Sequence, residues 1–391
     1  MVKRILVVGA GAGGGLVASR LRKLLPRGEA EITVIDKYGR TDFQPSYTLV
    51  ALGNREPSQI SVGMENFSKT GIKTVKGEVT EVDPKDRTVS VSGEKIQYDL
   101  LVLSPGVKFD GQSFPGYENA SHFWDMAGSL ELRKRISGFK GGKIVLGVTT
   151  QMYKCPPVPW EMAMMLDDYF RLKGIRQKVD ITVAHWVQKP MGMFGPVISS
   201  PVTKWLDEKN INGVYNFKLA RIDGDKKQLV GESGETVDYD LAIVAPPHRP
   251  PDFVAKNPDL KSSSGWLDSN IRNFRNSRFD DIYGIGDAIA PSIGIGMAGV
   301  FAHFQADTAA SMVAGDVLGA YDPVPYNTIG LCASDTGDAG WIAYCDFGKK
   351  LTVPNTAFPD CRSMGRSRIL KLAHAIYEKY FLASVYGGWY Q

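Results

Sequence analysis

The chain has 391 residues, which is enough for two or three domains with a large core. Hydrophobic residues make up 43% of it, as in an ordinary globular protein, and the formal net charge of +4 is too small to indicate a nucleic-acid partner. Four cysteines are too few for a disulfide scaffold, and no apolar run approaches the length of a transmembrane helix, so we expect a soluble protein or one bound at a membrane surface.

The first predicted unit binds a dinucleotide. A short apolar run before Gly9 is typical of a buried parallel strand, and it is too short for a signal peptide. Gly9, Gly11 and Gly14 follow in G-x-G-x-x-G spacing, which suits a tight turn, the approach of a pyrophosphate to the backbone, and a helix packed on the strand. A second apolar run ends at Asp36, where a carboxylate is expected to meet ribose hydroxyls.

Buried strands then recur in two similar blocks. Further strands are predicted at 77–82, 88–91, 98–106, 142–148, 179–184, 239–246 and 279–286. Segment 239–246 repeats the pattern of 98–106, which favours a duplicated unit over a chance similarity. The predicted fold is α/β, with two doubly wound dinucleotide-binding-type domains, one inserted in the other, and a C-terminal amphipathic helical region.

The predicted boundaries place a first domain at 1–108 and 246–320, a second at 109–245 and the C-terminal region at 321–391. The second domain lacks the glycine motif, because its first strand runs into Lys154-Cys155-Pro156-Pro157. This argues against NADH or NADPH as the electron donor. The first domain is completed by Gly286-Asp287 and a helix predicted from Gly294 to Gly319.

These motifs resemble those of the two-dinucleotide-domain flavoproteins, the flavin disulfide reductase superfamily. The general motifs are the N-terminal glycines, Ser104-Pro105-Gly106 and Gly286-Asp287. More specific motifs resemble those of the sulfide:quinone oxidoreductases and the related flavocytochrome c sulfide dehydrogenases: Lys154-Cys155-Pro156-Pro157-Val158-Pro159-Trp160-Glu161, Pro246-Pro247-His248-Arg249, Gly330-Leu331-Cys332-Ala333-Ser334-Asp335, and Tyr377-Glu378-Lys379-Tyr380-Phe381-Leu382.

The resemblance implies FAD and quinone sites. The implied FAD-binding residues are Gly9, Gly11, Gly14, Asp36, Lys37, Val79, Ser104, Pro105, Gly106, Gly286, Asp287, Met297 and Ala298. The FAD is expected to be non-covalent, because no cysteine precedes Cys155. The implied quinone-site residues are Leu331, Tyr377, Phe381 and Tyr390.

The resemblance also implies a redox pair, in which Cys155 and Cys332 form a disulfide or a sulfur-bridged pair that sulfide attacks. Lys154 and the following helix start are expected to lower the pKa of Cys155. Glu161 is expected to handle protons, or alternatively to stabilise the helix dipole. Cys345 is expected to be a small buried hydrophobe, or else the alternative partner of Cys155, and Cys361 is expected in a loop.

The C-terminal segment is predicted to be a basic amphipathic helix. Its apolar positions, in helical spacing, are Ile369, Leu372, Ala373, Ile376 and Tyr380, and Arg362, Arg366, Arg368, Lys371 and Lys379 surround them. With the aromatic end beyond Phe381, this pattern predicts attachment in the membrane plane. The alternatives are packing on its own domain and a dimer interface; a homo-oligomer is expected.

The function predicted from this resemblance is oxidation of sulfide, through a cysteine pair and FAD, with transfer of two electrons to a membrane quinone. Three alternatives stay open at this point: a sulfide dehydrogenase that reduces a cytochrome c, a type II NADH:quinone oxidoreductase, and a non-catalytic FAD-binding protein. No metal site is predicted, because the histidines show no metal-ligand spacing.

Overall fold

A computed structural model of the chain describes residues 2–386. In the amino-terminal part the strands are β1 (Lys3–Val8), β2 (Ala30–Asp36), β3 (Arg40–Asp42), β4 (Ser61–Gly63), β5 (Lys73–Lys76), β6 (Val79–Asp83), β7 (Thr88–Val91), β8 (Glu94–Gln97), β9 (Leu100–Leu103) and β10 (Lys108–Phe109). In the middle part they are β11 (Gly142–Val148), β12 (Val179–His185), β13 (Ile211–Tyr215), β14 (Leu219–Asp223), β15 (Gln228–Gly231), β16 (Thr236–Asp238), β17 (Leu241–Ala245) and β18 (His248–Arg249).

The remaining strands are β19 (Ile282–Gly284), β20 (Ile329–Asp335), β21 (Gly340–Asp346) and β22 (Asp360–Ser367). The α-helices are α1 (Ala12–Leu24), α2 (Tyr47–Ala51), α3 (Met126–Gly138), α4 (Val158–Leu172), α5 (Pro196–Glu208), α6 (Asp252–Ala255), α7 (Ala290–Ile293), α8 (Gly299–Leu318), α9 (Gly348–Thr352) and α10 (Lys371–Ser384). None of the helices in residues 2–386 combines the length and the hydropathy needed to cross a bilayer.

Two parallel sheets carry the core. The first has the order β19-β9-β1-β2-β5, so a strand from late in the chain completes the first unit. The second has the order β13-β12-β11-β17 and is also parallel. Both central strands, β1 and β11, are apolar and buried at their carboxyl ends, as strands covered on both faces must be. The predicted α/β fold class and its strands are confirmed; the domain boundaries stay a prediction.

Two local predictions need adjustment. The helix predicted from Gly294 begins at Gly299 as α8, because Ile295 and Met297 are buried in extended chain before it. The sequence also predicts a loop near the bound nucleotide from Phe43 to Tyr47. This segment instead leads through a 3-10 turn into α2, whose residues are all buried. Both differences move helix ends by a few residues and leave the order of elements unchanged.

The C-terminal region is an antiparallel sheet, β20-β21-β22, against which α10 packs. Cys345 on β21 lies directly opposite Cys361 on β22, and the two form a disulfide. The expectations that Cys345 is a free buried thiol and that Cys361 lies in a loop were therefore wrong. Strand pairing explains the difference, because directly opposed residues in an antiparallel pair lie within reach of each other.

The turn between β1 and α1 depends on its glycines. Gly9 has a φ of +95°, and a Cβ there would lie 2.2 Å from the Ser104 carbonyl oxygen. A Cβ on Gly14 would lie 2.0 Å from the Gly9 carbonyl oxygen. At Gly11 a Cβ would meet no atom within 4 Å. Gly9 and Gly14 are thus required by the fold, whereas Gly11 faces the open space where a pyrophosphate is expected.

We predict that Gly11→Ala and Gly14→Ala fail in different ways. Gly11→Ala should lose most of its bound flavin, because the methyl group occupies the cofactor's approach, and should unfold at the temperature of the flavin-free wild type. Gly14→Ala should lower the free energy of unfolding by about 1–3 kcal/mol through overpacking. The measurements are flavin absorbance per chain after desalting, and thermal unfolding.

Gly28→Ala is the matched control, because a Cβ there also meets no atom within 4 Å. Full flavin content in Gly11→Ala would contradict this assignment of the cradle.

We predict that replacing Cys345 and Cys361 by serine together lowers the free energy of unfolding by about 3 kcal/mol. The crosslink spans 16 positions, and its loss frees that loop in the unfolded chain. Denaturant unfolding under non-reducing conditions measures the loss, and peptide mapping identifies the crosslink in the wild type. Cys332→Ser is the control and should unfold like the wild type. Unchanged stability of the double variant would refute a structural role.

Candidate active site

The loop between β11 and α4 carries Cys155, and neighbouring elements hold its backbone. The Lys154 amide donates to His248 Nε2 (3.2 Å), and its carbonyl accepts from the Trp124 indole (2.9 Å). The Cys155 amide donates to the Met297 carbonyl (2.8 Å). Contacts from β18, from the segment before α3 and from the segment before α8 thus fix the loop. The sequence signal for His248 was the Pro246–Arg249 motif.

Cys155 itself occupies an unusual backbone conformation. Its φ is +57°, in the left-handed region that residues with a Cβ seldom adopt. Such a conformation costs about 1–2 kcal/mol and is maintained only where surrounding contacts impose it. Two hydrogen bonds supply that constraint: the Cys155 amide donates to the Met297 carbonyl, and the Val158 amide donates to the Cys155 carbonyl (3.0 Å). The contacts of the loop therefore offset a conformational cost that arises from the placement of one thiol.

Strand β20 brings Cys332 to the same place. Cys332 and Ser334 are two residues apart on the strand and share one face, and their Sγ and Oγ atoms are 3.1 Å apart. From α4, the buried Glu161 carboxylate accepts from the Asp335 amide (2.8 Å). The structure thus brings together the three predicted catalytic residues, Cys155, Cys332 and Glu161. Both cysteines are free thiols, half-buried, rather than a disulfide.

Sequence reasoning missed Ser334 as a site residue, although the signal was available. A residue two positions after a reactive cysteine on a strand shares its face, so the period of two would have identified it.

Burial dominates the electrostatics of this cluster. It raises the pKa of Cys155 well above its usual value, and the neighbouring Cys332 and Glu161 raise it further. Burial raises the pKa of Cys332 to about 12 and that of Glu161 to about 8. Glu161 also lies in the first turn of α4, so its expected dipole role and its burial coexist. At neutral pH these groups hold their protons.

The expectation of a lowered pKa for Cys155 was wrong, because burial outweighs the effect of the neighbouring Lys154. Burial lowers the pKa of Lys154 itself, which weakens it as a cation. Its Nζ donates to Gln44 Oε1 (2.9 Å) and lies 5.0 Å from the centre of the Phe109 ring. The Lys154 charge acts on Asp287, whose pKa it lowers against the larger effect of burial.

The predicted FAD residues of the first unit surround the glycine turn. The Asp36 carboxylate, at the end of β2, accepts from the amides of Ala10 (3.0 Å), Tyr38 (2.7 Å) and Gly39 (2.9 Å). Lys37 is exposed and paired with Glu78, and Val79 is the first residue of β6. We expect Asp36 to serve both the turn and a ribose.

The other predicted FAD residues lie where β9 and β19 end. Ser104, with Pro105 and Gly106, follows β9, and the Ser104 carbonyl lies against Gly9. The Gly286 amide donates to Gln305 Oε1 (2.6 Å), which joins this turn to α8. Met297 is buried, and Ala298 precedes α8 without a capping side chain. The open face at Gly11, the uncapped helix starts and the half-buried Asp287 fit an anionic dinucleotide that carries hydroxyl groups.

The predicted quinone residues lie on two elements. Tyr377 and Phe381 on α10 both pack against the Phe43 ring, with centroids 5.6 Å and 5.5 Å away. Leu331 is exposed on β20, against which α10 packs. Tyr390 lies outside the described residues. The sequence did not identify Phe43 as a residue of this site, because it is separated from α10 by most of the chain.

His374 lies on the same helix, and its ring centroid is 5.6 Å from that of Phe43. It is buried, and its Nε2 has no hydrogen-bond partner among the described residues. Burial lowers the pKa of His374 to about 4, so the ring is neutral at physiological pH. An unpaired buried nitrogen is unfavourable unless a ligand reaches it.

Helix α10 is fixed to the first unit by a buried ion pair. Glu378 accepts from Arg55 (3.3 Å) and from the Ser46 hydroxyl (2.5 Å). After the helix, Val385 and Tyr386 are buried against Gly15 of α1. The expectation that the aromatic end beyond Phe381 takes part in membrane attachment is therefore wrong for Val385 and Tyr386, which are buried in the core instead.

No group of His, Cys, Asp and Glu able to hold a metal ion occurs in the part of the chain that the structure describes. The site as described consists of two thiols, a carboxyl group and a hydroxyl, next to a dinucleotide cradle.

Comparisons with known proteins agree with this geometry. Residues 3–148 match the family described as "Pyridine nucleotide-disulphide oxidoreductase". The mitochondrial sulfide:quinone oxidoreductase of Mus musculus is 24% identical over 296 residues, which are 72% of this chain and 65% of that protein. The alignment therefore spans just under two thirds of the mouse relative.

A bacterial relative is matched over nearly its whole length. The sulfide-quinone reductase of Aquifex aeolicus is 27% identical, over 99% of this chain and 92% of that protein. The crystal structure of the Aquifex aeolicus sulfide:quinone oxidoreductase superposes with a TM-score of 0.88 at 25% identity, with the same coverage of each chain. FAD is the cofactor of this family. The chain is thus similar to a sulfide:quinone oxidoreductase over nearly its whole length.

Proposed function

We propose that this chain is an FAD-dependent sulfide:quinone oxidoreductase. The observation that carries the proposal is the meeting of two free thiols, Cys155 and Cys332, beside the buried carboxyl group of Glu161 and next to the dinucleotide cradle. A pair of thiols that can be oxidised together is the unit that flavin disulfide chemistry needs. The contacts that force Cys155 into a strained conformation support a chemical rather than a packing role for it.

The proposed reaction starts from the oxidised pair, in which Cys155 and Cys332 are joined directly or through a bridging sulfur. A hydrosulfide ion bonds to one cysteine sulfur and displaces the other as a thiolate, which leaves a persulfide. FAD would supply the two-electron acceptor for the step in which the thiolate and the persulfide join again through a bridging sulfur, and quinone would receive those two electrons. Gly9, Gly11, Gly14, Asp36 and Asp287 would hold the FAD. Glu161 exchanges the protons, because its pKa of about 8 is close to neutrality.

A nicotinamide donor is disfavoured by the second unit. Where a glycine turn would approach a pyrophosphate, the chain runs through Cys155, Pro156 and Pro157 into α4. Proline side chains at a helix start remove amide donors that a phosphate needs.

The quinone site is proposed at Phe43, Tyr377 and Leu331. Phe43 and Tyr377 offer aromatic surface and Leu331 an exposed apolar side chain, which suit a flat apolar ring. The unpaired His374 nitrogen would supply a hydrogen bond to a quinone oxygen, which explains why it is left unsatisfied. We propose Phe381 and Tyr390 as neighbours of this site.

Attachment at a membrane surface is also proposed. Leu372 and Ile376 on α10 are 60% and 68% exposed, and Ile369, in the turn just before the helix, is 77% exposed; we call these three side chains the α10 apolar face. The opposite side of α10 is occupied by the Glu378 ion pair and the Phe43 contacts. Arg362, Arg368 and Lys379 are exposed near the face and suit anionic lipid. Association of this face with a second copy is the alternative, in keeping with the expected homo-oligomer.

We predict that different variants impair the two half-reactions, flavin reduction by sulfide and flavin reoxidation by quinone. Cys155→Ser and Cys332→Ser should each slow anaerobic bleaching of the flavin by sulfide at least about 10³-fold while keeping FAD bound, because one thiol of the pair is lost. Tyr377→Ala should bleach like the wild type and be reoxidised more slowly by a quinone analogue. Stopped-flow absorbance follows both steps.

NADH in place of sulfide is the control and should not bleach the wild type. Fast bleaching in Cys332→Ser, or by NADH, would overturn the proposed function.

We predict that Leu372→Glu with Ile376→Glu weakens binding to anionic liposomes on the order of 100-fold, because two apolar side chains no longer enter the lipid. Liposome flotation measures binding, and soluble quinone turnover should stay unchanged. Leu172→Glu is the matched control, because Leu172 is 82% exposed at the end of α4. If the double variant floats like the wild type but changes its mass in solution, the face is an interface between copies.

A further inference from the structure

We propose that Ser334 is the proton bridge between Cys332 and Glu161, so that its hydroxyl is a working part of the catalytic site. The inference rests on the proposed function and names a residue that the motifs did not assign. Ser334 is 3% exposed, and no bulk water reaches its hydroxyl to do the same work.

Three contacts carry the assignment. The Ser334 Oγ lies 3.1 Å from the Cys332 Sγ, within hydrogen-bond range for sulfur. The same hydroxyl lies close enough to Glu161 to lower the pKa of that carboxyl group. The other anchor of Glu161 is the Asp335 amide (2.8 Å), which fixes the carboxyl without offering it a transferable proton. A hydroxyl both accepts and donates, so it can link a thiol to a carboxylate.

Strand geometry makes this arrangement specific. Cys332 and Ser334 share one face of β20, and α4 packs against that strand with Glu161 in its first turn. The intervening Ala333 and the following Asp335 point to the other face. Of the polar side chains on β20, Ser334 is therefore the one placed between the thiol and the carboxyl group.

The step balances without another reactant. The Cys332 S–H bond breaks, its electron pair stays on sulfur as the thiolate, and the proton goes to the Ser334 oxygen. The Ser334 O–H proton passes in the same motion to a Glu161 carboxylate oxygen. Ser334 ends unchanged, Cys332 is a thiolate and Glu161 is neutral. Reversal of the step protonates a displaced Cys332 thiolate.

Burial makes such a bridge necessary. A Cys332 thiol with a pKa of about 12 loses almost no proton to water at neutral pH. The Glu161 carboxyl, with a pKa of about 8, is the nearby group that exchanges protons in the working range. Only the ionised carboxylate accepts a proton, so thiolate formation becomes faster as the pH rises through about 8.

Other charges around Glu161 set that range. Asp335 raises the pKa of Glu161, and Glu161 in turn raises those of Cys155 and Cys332. Burial and Asp168 raise the pKa of Asp335 itself, and Lys371, whose Nζ is 3.3 Å away, lowers it. Substitution of Ser334 alters none of these charges, which makes it a clean probe.

The experiment compares Ser334→Ala and Ser334→Thr in the FAD-loaded protein. The first readout is the rate at which iodoacetamide alkylates Cys332 across neutral and alkaline pH, followed by peptide mass spectrometry. Cys332 should be alkylated more slowly at each pH in Ser334→Ala, because the Ser334 hydroxyl of the wild type lowers the pKa of Cys332. Ser334→Thr keeps the hydroxyl and should restore the wild-type rate. Flavin content per chain verifies folding.

The second readout is the pH profile of flavin bleaching by sulfide. Sulfide ionises in the same range, but its contribution cancels between variants measured together. Ser334→Ala should be slowed about 10²-fold and should lose the wild-type rise near pH 8, as should Glu161→Gln. A structural defect would instead lower the rate equally at every pH.

Ser363→Ala is the matched control. Ser363 lies on β22 of the same sheet, and its hydroxyl accepts from the Trp341 indole (2.8 Å) without contacting either cysteine. Wild-type profiles in Ser334→Ala would overturn the bridge while leaving the proposed function intact. If sulfide fails to bleach the wild type, the proposed function fails, whereas the alkylation result still decides whether Ser334 is coupled to Cys332.

Discussion

The low exposure to water of the cluster of Cys155, Cys332 and Glu161 is the constraint on which the site depends. Burial is the largest cause of the raised pKa of each of the three groups. A buried charge without a partner costs far more than the few kcal/mol that separate folded from unfolded protein, so the groups stay neutral at rest. Any reaction through the thiols must then move a proton over short, defined contacts.

The two parallel sheets provide the means to assemble that cluster. The β11–α4 loop, the turn after β9 and the segment before α8 all lie at carboxyl ends of strands, where doubly wound folds bind their ligands. The amide of Cys155 bonding to the Met297 carbonyl directly links the two units. The antiparallel sheet then adds Cys332 and Ser334 on β20, and the Cys345–Cys361 crosslink joins its strands β21 and β22.

The sequence predicted what depends on local pattern. The turn at Gly9 and Gly14 and the central strands followed from spacing and hydrophobic runs. Cys155 and Cys332 are far apart in the chain, so only the family motifs joined them. The Cys345–Cys361 crosslink escaped prediction because it depends on the register of β21 against β22, and neither strand had been predicted. The pKa of Cys155 was predicted in the wrong direction, because a neighbouring lysine is visible in a sequence and desolvation is not.

The C-terminal helix shows the same division between local and distant information. Helical spacing identified Ile369, Leu372 and Ile376 as one face, and the structure leaves that face exposed. The opposite face depends on Phe43 and Arg55, more than 300 positions earlier, which no local pattern can reveal. The Glu378–Arg55 pair fixes α10 to the first unit. The helix therefore carries the exposed apolar face on one side and the aromatic contacts with Phe43 on the other. If the exposed face meets lipid, as proposed, a quinone entering from the membrane would have to pass only the thickness of that helix to reach Tyr377.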